Sequence, residues 1–166
     1  MGSLSIQKGK RAERAVASML NPIVERVCLE QGVDPLRLCR NLRQSQQGGY
    51  DLDGLDWIAI EIKHHKVVAL GSWWVQTLRQ AGRDLAAQPI VGMVTREPVL
   101  IWKQHGGKWN VRMLGLLEIE TGRRLRTAVD ISWDAFVVWF EKRCEVETRK
   151  IELDEENGCT SPGLFG

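Results

Sequence analysis

The stretch that most constrains this chain is Gly49-Tyr50-Asp51-Leu52-Asp53-Gly54-Leu55-Asp56-Trp57-Ile58-Ala59-Ile60-Glu61-Ile62-Lys63. In its second half Ile58, Ile60 and Ile62 fall on one face of an extended chain, and Trp57, Ala59, Glu61 and Lys63 on the other. Successive side chains of a strand point to opposite faces, so this period of two predicts a half-buried strand whose isoleucine face belongs to a core. The opposite face sets a carboxylate and an ammonium two residues apart beside small Ala59. Such a face can simply meet water. It is also where a metal site can be built.

At 166 residues the chain fits one domain with a real hydrophobic core. We expect that domain over 1–150, and a disordered tail over 151–166, which is acidic and then bears Gly and Pro. Net charge is +2, but the last sixteen residues hold four acids and no Lys or Arg, so the body is more basic than the whole. That suits a polyanionic partner without requiring one. Cys28, Cys39, Cys144 and Cys159 show no paired-cysteine spacing, and neither a signal peptide nor an apolar run of membrane-spanning length is evident. The expectation is a reduced, cytoplasmic protein with no membrane partner. His64, His65 and His105 are too few and too scattered for structural zinc.

Asp51 followed by Glu61-Ile62-Lys63 on a strand resembles the PD-(D/E)xK nuclease superfamily, and its setting resembles Holliday junction resolvases of archaeal type and their phage relatives. Gly48-Gly49 precedes the Asp, a helix follows the Glu-x-Lys strand, and Lys8-Gly9 with Glu13-Arg14 resembles the resolvase N-terminus. The likeness covers roughly Lys8 to Val111; Tyr50 stands where the family has Pro, which is not a ligand. The resemblance implies an α/β fold with a restriction-endonuclease-like core: a central mixed sheet of about five strands flanked by helices, in αβββαβ order, with a C-terminal helix. It further implies Mg²⁺, with Mn²⁺ able to substitute, held by Asp51, Glu61 and the Ile62 carbonyl. Lys63 then orients and deprotonates water or neutralises developing charge, and Gln76 positions water or phosphate. A structural salt bridge from Lys63 to Asp51 or Glu61 is the plainer alternative.

Glu13 shares a helix face with Ala17, Leu20 and Val24, and an inward acid needs a partner. That partner is either a nearby Arg or, as the resemblance implies, the metal and the chemistry at Asp51 and Glu61. Lys8, Lys10, Arg11, Arg14, Arg43, Lys66 and Arg79 are candidate DNA contacts that could equally be solvated charges. The implied function is a metal-dependent DNA endonuclease, most specifically a Holliday junction resolvase of phage or mobile-element type. It would act on branched DNA as a C2 homodimer, in a bacterial or phage-infected cell. Alternatives are a nuclease for linear or single-stranded DNA in phage DNA processing, and a DNA-binding module without cleavage.

The shared cation also sets the hairpin. Oxygen ligands lie ~2.0 to 2.6 Å from a hard cation, so Asp51 and Glu61 must face each other across the strands. The apex then falls at Asp56, with a loop of three or five residues. A two-residue Asp53-Gly54 turn would instead pair Leu52 with Leu55 and put Glu61 on the wrong face.

Along the rest of the chain we expect a helix capped by Ser3 or Ser5, running to Leu20 or past Pro22 to Gln31, with Val16, Met19, Leu20, Ile23 and Val27 as its stripe. A strand over 38–45 follows, with Arg37, Arg40 and Arg43 on or beside it. A helix capped by Ser72 runs to about Ala87, with Trp74, Leu78, Ala81 and Leu85 inward and Gln76, Arg79, Gln80 and Arg83 on another face. Strands are expected over 89–95, 99–103 and 108–113, with Trp102 and Trp109 packed together. A basic loop over 121–127 is a candidate DNA arm or dimer contact. Ser132 should cap a last helix whose stripe is Trp133, Phe136, Val137, Phe140 and Cys144, with Val138 and Trp139 as a possible dimer face.

Overall fold

A computed structural model describes residues 2–42 and 49–156. Helix α1 (Gly2–Gln31) leads to short β1 (Cys39–Arg40) and β2 (Leu52–Asp53), then to the long strand β3 (Ile58–His65). Helix α2 (Leu70–Gln80) crosses to β4 (Glu97–Gln104), and the hairpin of β5 (Asn110–Glu120) and β6 (Arg123–Ser132) runs into α3 (Trp133–Glu156). The six strands form one mixed sheet in sequence order. Only β3 and β4 are parallel, in register from Ile58 opposite Glu97 to His65 opposite Gln104; every other neighbouring pair is antiparallel.

Helices α1 and α3 cover one face of the sheet, and α2 covers the other. On the first face Val16, Leu20, Val24 and Val27 of α1 pack with Ile58, Ile60, Ile62, Val99, Ile101, Phe136 and Phe140. On the second, Trp73, Trp74 and Leu78 of α2 pack on Leu100 and Leu114. Burying each such side chain contributes about 1.5–3 kcal/mol. The expected half-buried strand is therefore buried on both faces: Ile58, Ala59, Ile60 and Glu61 are all 1% exposed or less. Trp57 departs from the alternation. It sits outside β3 and packs against Trp139 and Phe140, on the isoleucine side.

Helix α1 passes through Pro22 without ending, although Pro cannot donate to the carbonyl one turn back. It begins at Gly2, so Ser3 and Ser5 lie inside it rather than capping it. Val24 takes the core place expected of Met19, which is 37% exposed. Beside Pro22, buried Asn21 acts as a piece of backbone: its side chain donates to the Leu38 carbonyl at 3.0 Å and accepts from the Leu38 N–H at 2.8 Å. This fastens the start of β1 to α1.

Leu52 pairs with Ile60, which centres the β2–β3 hairpin on Asp56 as expected. The connection is four residues, 54–57, between the three and the five anticipated. Gly54 is required there: its φ is +114°, and a Cβ would stand 2.1 Å from the Arg37 carbonyl oxygen.

Other expectations need correction. The strand over 38–45 is only Cys39–Arg40, and residues 43–48 lie outside the described residues. Helix α2 starts after Ala69, not Ser72, whose hydroxyl donates back to the Ala69 carbonyl. It stops at Gln80 instead of Ala87, because Gly82 adopts positive φ and the chain turns, leaving Leu85 68% exposed. Segment 89–95 is irregular apart from a bridge between Arg83 and Pro89. Trp102 and Trp109 pack on opposite sides of the sheet rather than on each other. The expected loop over 121–127 is the tip of the β5–β6 hairpin, which continues beyond β4 as a two-stranded arm. Ser132 does cap α3, accepting from the Ala135 N–H at 3.1 Å. Trp139 belongs to the core edge, so of the expected dimer face only Val138 stands clear at 65% exposed. Helix α3 continues to Glu156, well into the stretch expected to be disordered, because its 3.6-residue pattern carries on through Cys144 and Thr148, both buried.

Asn21→Ala should lower stability by about 2–4 kcal/mol in urea unfolding with an unchanged m-value, since it orphans two buried backbone groups. Thiol labelling provides a second check. Cys39 is exposed, Cys28 and Cys144 are buried, and burial pushes the Cys144 thiol up to about 12. In a Cys159→Ser protein one thiol should react quickly in the native state, and the other two only after unfolding.

Candidate active site

Glu61 is 1% exposed at the middle of β3, on the face covered by α2. A carboxylate there must be compensated. Lys63, two residues on and therefore on the same face, forms an ion pair with Oε1. Gln76, in the second turn of α2, donates its Nε2 to the same oxygen at 3.0 Å. Oε2 is buried with no hydrogen-bond partner. Desolvation raises the Glu61 carboxyl above the usual range; the Lys63 ammonium and the Gln80 amide pull it down, and the Glu13 charge raises it further. Burial outweighs the attractive partners, so the carboxyl lies above its ordinary value.

Asp51 is 6% exposed, one residue before β2. Continuing the Leu52–Ile60 register puts it opposite Glu61. Its Oδ2 accepts the Ile62 N–H at 2.6 Å, and its own N–H donates to the Ile60 carbonyl at 2.9 Å. Backbone thus orients the carboxylate against β3. Asp51, Glu61, Lys63 and Gln76 are brought together as the sequence suggested.

Glu13 is not placed as a ligand. It forms an ion pair with Arg40 of β1, both side chains largely buried. Of the two partners expected for Glu13 the structure shows the nearby Arg, and among the described residues no group of three or more His, Cys, Asp or Glu is arranged to hold a metal ion. The physical reason is proximity: a guanidinium on the neighbouring strand neutralises Glu13 first.

The basic candidates divide. Lys8 lies against His105, with Nζ and Nδ1 3.3 Å apart. Lys10, Arg11 and Arg14 line a shallow hollow of about 210 Å³ with Gln7, and Arg14 and Arg40 also border one of about 460 Å³ beside Arg37. Lys66 and Arg79 are exposed. Arg43 lies outside the described residues. Arg83, on the expected polar face of α2, is instead 7% exposed and structural, donating to the Arg96 and Ala87 carbonyls.

Two participants were not singled out from the sequence. Gln80 donates to the Gly49 carbonyl at 2.7 Å, tying α2 to the segment that carries Asp51. Its spacing of four from Gln76 puts both on one helix face, which was the available signal. Arg40 was legible only as one of several arginines near a strand. Comparison with protein-family models, with curated proteins and with solved structures finds no match for this chain.

The sign of the Glu61 shift gives a test. A raised folded-state value means that its contribution to stability is fully present below the unfolded value, about 4.3, and is lost as pH rises through the folded value. With EDTA present, Glu61→Gln should melt above wild type at pH 8, and the gap should close as pH falls toward 5. A variant that melts lower at pH 8 would show that the Lys63 pair outweighs burial.

Proposed function

We propose that this protein is a metal-dependent DNA endonuclease with a restriction-endonuclease-like core, cutting phosphodiester bonds at Asp51, Glu61 and Lys63. The observation that carries the reading is the facing of two buried carboxylates across the β2–β3 hairpin, with Lys63 beside them and Glu61 Oε2 lacking a partner. A fold has no need to bury a raised carboxylate with an orphaned oxygen, and binding DNA has no use for converging negative charge.

The donor set fits a hard cation. Mg²⁺ takes one or two carboxylates and keeps several waters, so Asp51, Glu61 and the Ile62 carbonyl are enough without a third acid. When bound, it supplies Lewis-acid neutralisation of charge on phosphate oxygens. The protein's own groups do the rest. Lys63 orients the attacking water and offsets charge developing on the phosphoryl group. The Gln76 amide fixes Glu61 and, with Gln80, holds α2 against the hairpin. In the reaction water oxygen bonds to phosphorus as its proton passes to solvent, the bond to the leaving deoxyribose oxygen breaks, and that oxygen takes a proton from solvent or from the Lys63 ammonium.

The substrate we favour is branched DNA, as for a Holliday junction resolvase, with a second copy of the chain supplying the second nick. No helix among the described residues is long and apolar enough to cross a membrane.

Cleavage of a synthetic four-way junction, a matched duplex and a single strand should require Mg²⁺ or Mn²⁺, with paired symmetric nicks in the junction. Asp51→Asn and Glu61→Gln should abolish cutting while retaining or tightening DNA binding. Cutting of linear or single-stranded DNA instead would keep the site and change the substrate; a Glu61→Gln protein that still cuts would refute the role of Glu61. Mg²⁺ should also raise the melting temperature of wild type, by an increment equivalent to about 2.7 kcal/mol at a hundred times Kd, and should leave Asp51→Asn unmoved.

A further inference from the structure

Strand β3 ends by turning Lys63 to the α2 face and His64 to the opposite one. On the His64 side a basic cluster forms that the cleavage chemistry does not use. Lys8 of α1 places Nζ 3.3 Å from Nδ1 of His105, in the turn after β4. An ammonium only donates, so Nδ1 is the accepting nitrogen and the His105 proton sits on Nε2. The His105 ring stacks on His64 with centroids 6.1 Å apart, and His64 leans on Trp109 at 6.3 Å. Lys103, opposite His64 in the β3–β4 ladder, holds its Nζ 4.4 Å from the centre of the Trp109 ring.

This cluster is held in place, and among the described residues no carboxylate pairs with Lys8, Lys103 or His105. The His105 N–H bonds the His65 carbonyl at 3.2 Å, and the Gln104 side chain bonds the Lys66 carbonyl at 2.9 Å, so the turn is pinned to the end of β3. The groups that act on His64 are Lys8, Lys103, His105 and His65, none of them an acid. The neighbouring site is different, since there Lys63 is already paired with Glu61. Donors that converge with no carboxylate among them repel one another until an anion is supplied.

We infer that Lys8, Lys103 and His105 form a seat for a DNA backbone phosphate other than the scissile one, with His64 and Trp109 bracing it from beneath. The word scissile rests on the nuclease reading; the seat itself does not. Lys8 and Lys103 contribute ammonium donors, and His105 contributes its Nε2–H. A nucleic-acid strand crossing the end of β3 meets the reacting site on one face and this seat on the other, which fixes its register without reading its sequence. Trp109 restrains Lys103 through the cation–π contact, so less freedom is lost when phosphate binds.

The test is fluorescence anisotropy of a labelled four-way junction and a labelled duplex in EDTA, titrated at several salt concentrations. The proteins are wild type, Lys8→Gln, Lys103→Gln, His105→Ala and, as a control on exposed α3, Arg149→Gln. Each lysine variant should weaken binding about three- to tenfold and make the slope of log affinity against log salt shallower by about one. His105→Ala should weaken binding with little change of slope, and Arg149→Gln should match wild type. Melting temperatures near that of wild type show that the variants fold. Unchanged affinity and slope in both lysine variants, or an equal loss in Arg149→Gln, would overturn the seat. Cleavage is scored separately. A wild type that cuts no DNA, with binding weakened in the seat variants, leaves the seat standing and removes the nuclease reading; a wild type that cuts, with seat variants binding normally, does the reverse.

Discussion

Much of this structure depends on the cost of keeping the Glu61 carboxylate out of water. A side chain at the middle of β3 cannot reach solvent once α2 lies over that face, so its charge must be met by groups the fold itself supplies. Lys63 is delivered by the two-residue repeat of the same strand, and Gln76 by the first turns of the covering helix. Asp51 arrives through the antiparallel register of β2, oriented by the Ile62 N–H. Three separate elements therefore converge on one buried acid, and one of its oxygens is still left over.

The position of that acid follows from the topology. Strand β3 has an antiparallel neighbour on one side and a parallel neighbour on the other. The parallel pair needs a crossover, and α2 is that crossover, which is why the helix following Glu-x-Lys returns over the carboxylate. The same pair brings the C-terminal ends of β3 and β4 to one edge of the molecule, where Lys63, His64, Lys103 and His105 gather with Lys8 of α1. Beyond Met113 the β5–β6 hairpin has no β4 to pair with, so its Leu116, Leu117, Ile119 and Leu125 stay in water. Gly115 is the residue that lets the arm close up, since a Cβ there would meet Val129 at 2.9 Å.

Helix Gly2–Gln31 and strand Ile58–His65 were legible because each repeats its apolar residues with a clear period over several turns or residues. The register of the β2–β3 hairpin was legible for a different reason: requiring Asp51 and Glu61 to face each other leaves one apex, at Asp56. What failed was mostly local. Residues 89–95 have the composition of a strand, but the turn through Gly82 and the bridge from Arg83 to Pro89 take up the chain that a strand would need. The 121–127 segment reads as a loop because its arginines suggest solvent, yet in an arm with both faces exposed Arg123 to Thr127 form an ordinary hairpin strand.

The sequence by itself marked the candidates: an Asp and a Glu-x-Lys on a strand by type and spacing, and a Gln in the next helix through the resemblance that those residues carry. Only the tertiary structure decided how far each is taken from water and which charge meets which. Glu13 shows the difference. Its inward direction followed from helical periodicity, but its partner is Arg40, fixed by a strand that Asn21 fastens to the same helix through Leu38. Periodicity tells which way a side chain points. The nearest opposite charge depends on chain segments that are distant in sequence and adjacent only after folding, and in a low-dielectric interior that nearest charge prevails.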